Sequence, residues 1–284
     1  MLDPISKALV RLALREDLGR AGDLTTKFFL PPRRTYRARI IAKQTGVLCG
    51  TRVVGEVFRQ ACPSARLRWL KRDGASLRRG ETVALLRGPR ELLSAERTAL
   101  NFLQRLSGIA TLTRAFVEEA RGTRARIYDT RKTAPGWRAL AKHAVLRGGG
   151  RNHRMGLYDM VLLKDNHLAG WSTEAPERVA ARMKAFRRRH PRVPVEIEAK
   201  THAEVEKALS LGADLVLLDN MPPATLRREI AFIRSRTSRV AVEVSGGVDL
   251  SSVRRLARLG PDRISVGKLT HSAPSLDLSL ELDA

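Results

Sequence analysis

The chain of 284 residues carries 53 lysine and arginine residues against 29 aspartate and glutamate residues, so its formal net charge is +24. A hydrophobic content of 43% is sufficient for one or two folded domains and argues against a disordered chain. Cys49 and Cys62 are too few for a disulfide framework and lack metal-ligand spacing, so we expect two structural thiols.

The first 17 residues interrupt their apolar positions with charges, which excludes a signal peptide and a membrane span there. No later segment approaches the ~18 consecutive apolar residues that such a span needs. The sequence therefore predicts a cytoplasmic protein with no membrane partner.

The strong positive charge first suggests nucleic acid as a partner. However, the cations are spread along the chain in short runs such as Arg187 to Arg189, and aromatic residues make up only 5% of the sequence. Stacking platforms for bases need aromatic residues interleaved with cations. A solvated basic surface and a site for polyanionic small molecules are the better hypotheses, and we expect no nucleic-acid partner.

The first part of the chain predicts a helix over residues 4–18 that ends at Gly19, because apolar residues recur at helical spacing. Residues 36–86 consist of short apolar runs punctuated by glycine, which predicts strands and turns of a small sheet. Residues 91–121 predict one or two long helices. Arg97 lies on a partly apolar face of this segment, where either its stem packs while its charged head reaches solvent, or it serves a site.

The sequence pattern changes after residue 120, where six short apolar runs each end in polar residues or glycine. The runs span residues 125–132, 159–167, 193–200, 213–220, 239–247 and 262–268. Helical segments separate most of them, and strands that alternate with helices indicate a parallel sheet. A barrel and an open doubly wound sheet both fit this pattern.

In a parallel sheet the ends of all strands lie on one side, so polar residues that follow the runs should converge on one rim. These residues are Asp129, Arg131, Lys132, Lys164, Glu198, Asp219, Ser245 and Gly267. The glycine-rich ends Ser245-Gly246-Gly247 and Val266-Gly267 are suited to phosphate, because glycine lets backbone N–H groups approach closely. The G-x-G-x-x-G fingerprint of dinucleotide-binding domains does not occur.

Cations cluster between residues 129 and 167, which predicts a pocket for a ligand with several negative charges. Glu198 and Asp219 would repel such a ligand unless a hard cation such as Mg²⁺ lies between them. The alternative is that these carboxylates pair with Arg131 or Lys132.

Seven blocks in order strongly resemble the quinolinate phosphoribosyltransferase family, which belongs to the type II phosphoribosyltransferases. They include SAERTALNFLQRLSGIAT at 94–111, DTRKTAPGWR at 129–138, GGGRNHRMGLYDMVLLKDNH at 148–167, LDNM at 218–221, VSGGV at 244–248 and ISVGKLTHS at 264–272. The resemblance extends from residue 16 to residue 278.

This resemblance implies an α/β protein in which an incomplete parallel α/β barrel follows an N-terminal mixed α/β sandwich domain. The domains expected are residues 1–112, joined by the tail 270–284, and residues 113–269. The family converts quinolinate and phosphoribosyl pyrophosphate (PRPP) to nicotinate mononucleotide, pyrophosphate and CO₂ with Mg²⁺, in NAD biosynthesis. The resemblance further implies a homodimer with shared active sites, and the sequence does not distinguish this dimer from a hexamer.

The family's site residues carry over to matching positions of this sequence. Arg97 matches an arginine that reaches quinolinate from the partner subunit, and Glu198 and Asp219 match acidic residues beside the ribose and the metal ion. With Lys132, these two carboxylates are the expected catalytic residues. The remaining substrate-binding residues implied are Thr130, Arg131, Lys132, His153, Arg154, Lys164, Ser245, Gly246, Gly247, Val266, Gly267 and Lys268.

Two related activities remain as alternatives. One is a barrel phosphoribosyltransferase that acts on nicotinate or another heteroaromatic acid, and the other is a relative from molybdate-transport operons that shares the DTRKT block. The complete KDNH sequence at 164–167 and the number of cations favour the dicarboxylate quinolinate.

Overall fold

The structure is a computed structural model that describes residues 2–171 and 173–283. Its helices are α1 (Pro4–Leu18), α2 (Leu24–Phe29), α3 (Thr51–Ala61), α4 (Glu91–Ser94), α5 (Glu96–Glu119), α6 (Arg138–Gly148), α7 (Asp165–Ala169), α8 (Pro176–Arg189), α9 (His202–Ser210), α10 (Pro223–Arg236), α11 (Leu250–Ala257) and α12 (Lys268–His271). Its strands are β1 (Tyr36–Ala42), β2 (Gly46–Val47), β3 (Arg66–Trp69), β4 (Ser76–Leu77), β5 (Thr82–Gly88), β6 (Arg126–Tyr128), β7 (Val161–Leu163), β8 (Val195–Ala199), β9 (Leu215–Asp219), β10 (Ala241–Ser245), β11 (Arg263–Ser265) and β12 (Leu278–Leu282).

The chain divides into two compact units. The first unit contains Met1–Ala115, Lys132–Gly150 and Lys268–Ala284, and the second contains Phe116–Arg131 and Arg151–Gly267. Among the helices of the described residues, none has the length and apolar character needed to cross a membrane.

The first unit contains an antiparallel sheet in the order β12, β1, β5, β3. Side chains alternate along β1, so Ala38 and Ile40 are buried whereas Arg37 is exposed. On the exposed face, Arg37 of β1 and Arg66 of β3 both lie in register with Arg87 of β5. Like charges directly opposite each other destabilise a sheet, so the buried face must supply the stability of this layer.

Helix α3 was not expected, because we predicted only strands and turns over residues 36–86. Its β-branched residues favour extended structure and Gly55 disfavours a helix, but Val53, Val54 and Val57 lie on one buried helical face. The helix is capped from a distance, since Oδ1 of Asp73 accepts the N–H groups of Gly50 and Thr51 at 3.1 and 3.0 Å. Tertiary burial and this cap therefore override the local sequence preference.

The predicted opening helix is confirmed as α1, and its end at Gly19 adopts a positive φ of 52°. The predicted long helical segment is confirmed as α4 followed by α5.

Helix α5 fixes the last part of the chain in the first unit. Nε2 of Gln104 donates to the Leu278 carbonyl at 2.7 Å, and the Leu276 N–H donates to the Gln104 carbonyl at 3.0 Å. Gly108 lies so close to this segment that a Cβ atom would stand 1.9 Å from the Pro274 carbonyl oxygen. The absence of a side chain at Gly108 is thus a condition for β12 to reach the edge of β1.

The second unit contains a parallel sheet in the order β6, β11, β10, β9, β8, β7. The strands follow the chain from β7 to β11, and β11 then pairs with β6. Among the described residues no ladder joins β6 to β7, and an isolated parallel bridge between Tyr128 and Arg151 lies beside this seam. The predicted α/β class with an incomplete parallel barrel is confirmed, and each of the six apolar runs contains one strand.

The close approach at Gly108 predicts a large effect of one methyl group. Gly108→Ala should lower the free energy of unfolding by about 3 kcal/mol, because the rigid backbone at Pro274 must move. Gly55→Ala is the matched control, since Gly55 is also helical but has no atom within 4 Å of the added methyl group. It should stabilise the protein by about 0.5 to 1 kcal/mol. Urea unfolding of both variants measures the difference, and equal stabilities would contradict this packing.

Candidate active site

The buried carboxylate of Asp129, just after β6, holds the loop over residues 151–154, which lies between α6 and β7. Its Oδ1 atom accepts the N–H of His153 at 2.8 Å, and the side chain is inaccessible to solvent. Nearby, the Arg151 N–H donates to the Ile127 carbonyl at 2.8 Å. The loop over residues 151–154 is thus attached to the end of β6, beside the seam of the barrel.

Two arginines from different segments come together at this end of the barrel. Nη1 of Arg154 donates to the Met160 carbonyl at 3.1 Å, whereas Nε of Arg131 is buried without a hydrogen-bond partner among the described residues. Burial and the neighbouring Arg131 guanidinium lower the pKa of Arg154. An unsatisfied buried donor and two adjacent cations are the features that a bound anion compensates.

The His153 ring lies over two fully buried glutamates inside the barrel. Its Nε2 atom is 3.0 Å from Oε2 of Glu196 and 3.4 Å from Oε1 of Glu243. Its Nδ1 atom accepts the N–H of Arg154 at 2.8 Å. This hydrogen bond places the proton of the neutral ring on Nε2, between the carboxylates.

The three groups shift one another's ionisation. Burial and the Glu243 carboxylate raise the pKa of Glu196 to about 7. Burial alone would also raise the pKa of Glu243, but contacts with His153 and the Ser265 hydroxyl lower it. Burial disfavours the charged His153 ring, whereas the two carboxylates outweigh this effect and raise its pKa. A proton on Nδ1 would displace the Arg154 N–H, so the backbone contact opposes this rise.

The predicted carboxylate Glu198 is nearly buried and is flanked by two lysines. Nζ of Lys164 is 3.6 Å from Oε2, and Nζ of Lys200 is 3.7 Å from Oε1. Lys200 also pairs with Asp165 at 2.7 Å. Neither lysine was among the partners we considered for Glu198 from the sequence. Both distances exceed those of hydrogen bonds.

Asp219 and the Ser245 loop meet at neighbouring strand ends through Asn220. The Asn220 N–H donates to the Ser245 carbonyl at 3.0 Å, and its Nδ2 atom donates to Oδ2 of Asp219 at 2.9 Å. Asn220 has a φ of 53°, and Gly246 and Gly247 follow with φ of 97° and 59°. A Cβ atom on Gly246 would lie 2.2 Å from Oδ1 of Asn220. The glycines therefore allow both the left-handed turn and this close approach.

The other predicted residues are distributed over both units. In the second unit, half-buried Thr130 follows Asp129, and the Val266 N–H donates to the Tyr128 carbonyl at 2.9 Å just before Gly267. The first unit holds three predicted residues, which are Arg97, Lys132 and Lys268. Arg97 is exposed on α5, the Lys132 carbonyl accepts the Thr270 hydroxyl at 2.7 Å, and Lys268 begins α12.

Sequence reasoning missed four polar residues of this region: Glu196, Glu243, Lys200 and Asn220. The alternation in β8 could have indicated the first, because Glu196 and Glu198 stand two positions apart and therefore face the same side. Reading this strand as a continuous apolar run concealed that signal.

Comparisons with known proteins agree over the whole chain. Residues 23–107 match the family description "Quinolinate phosphoribosyl transferase, N-terminal domain", and residues 109–281 match the corresponding C-terminal domain. A probable nicotinate-nucleotide pyrophosphorylase [carboxylating] of Bacillus subtilis is 39% identical over 277 residues, which cover 97% of this chain and 93% of the relative.

Two further relatives extend this result. The chloroplastic nicotinate-nucleotide pyrophosphorylase [carboxylating] of Oryza sativa is 38% identical over 98% of this chain and 77% of its own length. The solved structure of the nicotinate-nucleotide pyrophosphorylase from Francisella tularensis superposes with a TM-score of 0.91 at 34% identity, covering 100% of this chain and 98% of that chain.

The contact between Gly246 and Asn220 predicts a local requirement for glycine. Gly246→Ala should lower the free energy of unfolding by about 3 kcal/mol, from backbone strain and the clash with Asn220 together. Gly212→Ala separates these causes, because Gly212 has a φ of 72° but an added methyl group meets nothing within 4 Å. That control should lose only about 1 kcal/mol. Equal losses in urea unfolding would contradict a role for the Asn220 contact.

Proposed function

Because the chain belongs to the quinolinate phosphoribosyltransferase family, we propose that it transfers the phosphoribosyl group of PRPP to quinolinate. The products are nicotinate mononucleotide, pyrophosphate and CO₂, and the reaction serves NAD biosynthesis. The observation that carries this proposal is the buried Nε of Arg131, which has no hydrogen-bond partner among the described residues, together with the effect of Arg131 in lowering the pKa of Arg154.

The charge at the barrel rim favours a dicarboxylate over a monocarboxylate. Quinolinate carries two neighbouring carboxylates on one ring, and the planar guanidinium binds carboxylate bidentately. Arg131 and Arg154 suit these two groups, and Lys164 lies on the next strand end. Nicotinate would leave one of these cations without an anionic partner, at a cost in binding free energy.

The glycine turn after β10 is suited to the phosphate groups of PRPP. Consecutive left-handed residues at Gly246 and Gly247 turn the backbone sharply, and such turns can direct N–H groups to one anion. Ser245 adds a hydroxyl group beside this turn. We propose a second phosphate-binding loop after β11, formed by Val266, Gly267 and Lys268.

The reaction develops positive charge at ribose C1 and negative charge on the departing pyrophosphate. As the bond from ribose C1 to pyrophosphate breaks, pyrophosphate leaves with the electron pair and C1 gains oxocarbenium character. Carboxylates at Glu198 and Asp219 would stabilise that positive charge, while Lys132 would stabilise the departing anion. The pyridine nitrogen lone pair then forms the new bond to C1, and the protein mainly orients the two anionic substrates for this step.

Bond formation at nitrogen makes the pyridine ring cationic. The ring can then accept the electron pair left on C2 when CO₂ departs, and a proton replaces the carboxylate there. This sequence needs no organic cofactor, because the substrate itself provides the electron sink. Arg131 and Arg154 would hold the ring in place during the loss of one of its carboxylates.

The donor set of the rim fits Mg²⁺, which prefers oxygen ligands and shares them with substrate phosphates. Glu198 and Asp219 are carboxylates at neighbouring strand ends, and the lysines beside Glu198 lie beyond hydrogen-bond distance. These two residues would hold Mg²⁺ directly or through water. When bound with PRPP, the ion neutralises charge on the pyrophosphate group.

Arg97 supports a homodimer with shared active sites as part of the proposal. It is exposed on α5 of the first unit, although the family resemblance assigns it to quinolinate. An arginine that reaches a neighbouring subunit reconciles these two properties. The same arrangement can occur in a hexamer built from such dimers.

The proposed reaction predicts release of labelled CO₂. The protein with PRPP and Mg²⁺ should release ¹⁴CO₂ from carboxyl-labelled quinolinate and form nicotinate mononucleotide, because its site holds two ring carboxylates. With nicotinate in place of quinolinate, product formation should be at least about 100-fold slower, in line with the cost of leaving buried charge unpaired. Chromatography of the nucleotide product is the measurement. Turnover of nicotinate alone would overturn the proposal.

The shared site predicts complementation between two variants whose sites are each impaired at low quinolinate concentration. Arg97→Ala should raise the KM for quinolinate by at least about 10-fold with an unchanged melting temperature, because it removes a charged contact at the surface. Arg11→Ala, at another exposed helical arginine, is the control and should behave as the unmodified protein.

Mixing Arg97→Ala with Lys164→Ala subunits should then restore activity, since mixed dimers contain one site free of both substitutions. Activity that stays at the level of the separate variants would contradict shared sites, while leaving the substrate assignment to the labelled-CO₂ assay.

A further inference from the structure

The two glutamates beneath His153 are costly to bury, and the proposed reaction assigns no role to either of them. Glu196 and Glu243 are inaccessible to solvent, and both contact His153, one of the residues assigned to substrate. Among the described residues, the Oε1 atom of Glu196 and the Oε2 atom of Glu243 accept no hydrogen bond. Apolar side chains of similar volume often stabilise a protein at such positions. Their presence therefore indicates a task other than stability.

Their contacts identify that task. The His153 ring is held between the glutamates at Nε2, and its Nδ1 atom accepts the Arg154 N–H at 2.8 Å. A second contact, from Asp129 to the His153 N–H, fixes the preceding peptide. The position of the His153 ring thus decides where the backbone of Arg154 lies, and the guanidinium extends from that backbone to Met160.

We propose that Glu196 and Glu243 are positioning residues, which hold the His153 ring and through it align Arg154 for one carboxylate of quinolinate. This inference rests on the proposed function for the identity of the ligand. It assigns no contact with substrate to either glutamate. The neighbours of the pair support the same reading, because the Ser265 hydroxyl contacts Oε1 of Glu243 and Nη1 of Arg263 lies 4.0 Å from its Oε2.

Glu196→Leu is the decisive variant, since it removes the closer carboxylate and leaves Glu243 to contact His153. We expect the KM for quinolinate to rise about 10-fold or more, with kcat and the KM for PRPP changed less than about twofold. Glu196→Gln keeps an acceptor oxygen and should show an intermediate KM. The melting temperature should not fall in either variant.

Glu229→Leu is the matched control. Glu229 is also fully buried and contacts a histidine, His202, at 2.7 Å, but it lies on α10 among Arg228 and His202. Its substitution should lower the melting temperature and leave the KM for quinolinate unchanged. Equal losses for both substrates together with a lower melting temperature in Glu196→Leu would show a purely structural role and overturn the inference.

Amide hydrogen exchange provides a readout that does not depend on activity. The Arg154 amide should be protected in the unmodified protein and should exchange at least about 10-fold faster in Glu196→Leu, but not in Glu229→Leu. Unchanged protection would overturn the inference. If the unmodified protein fails to turn over quinolinate, the proposed function fails, whereas the exchange rates still decide whether the glutamates position Arg154.

Discussion

The burial of negative charge inside the barrel is the constraint on which the cationic rim depends. Arg131 and Arg154 come from different segments, and the effect of Arg131 on the pKa of Arg154 shows that their like charges oppose each other. Asp129, Glu196 and Glu243 lie beneath this end of the barrel and hold the loop through His153. The interior carboxylates thereby keep cations together before any anionic ligand arrives, which is the preorganisation that binding and catalysis require.

The order of the strands explains how residues distant in sequence come to form the rim. Parallel pairing from β7 to β11, and from β11 to β6, brings residues distant in sequence to the same end of the sheet. The seam between β6 and β7 is where the loop over residues 151–154 lies, attached by Arg151 to the β6 backbone. A barrel closed at this point would need a strand where His153 and Arg154 now stand. The gap between β6 and β7 is therefore also the place where His153 and Arg154 are positioned.

The sequence alone was sufficient for the barrel strands, because buried parallel strands are apolar runs and their ends are marked by polar residues. It was insufficient for α3, whose cap comes from Asp73, over twenty positions away. Glu243 was missed because nothing in its apolar strand marks an interior contact, and Glu196 was missed because β8 was read as a continuous apolar run. The partners of Glu198 were also beyond sequence reasoning, since Lys164 and Lys200 approach it from two different strand ends.

The dependence of β12 on β1 has a consequence for biosynthesis. The edge of the first sheet is supplied by residues that are translated after every strand of the barrel, and α5 accepts the same segment through Gln104 and Gly108. The second unit can therefore form on the ribosome while β1 still presents an unpaired edge. An unpaired edge is a template for association with other chains. During synthesis this sheet is exposed to aggregation until β12 emerges, and its arginine-rich outer face protects it against premature pairing.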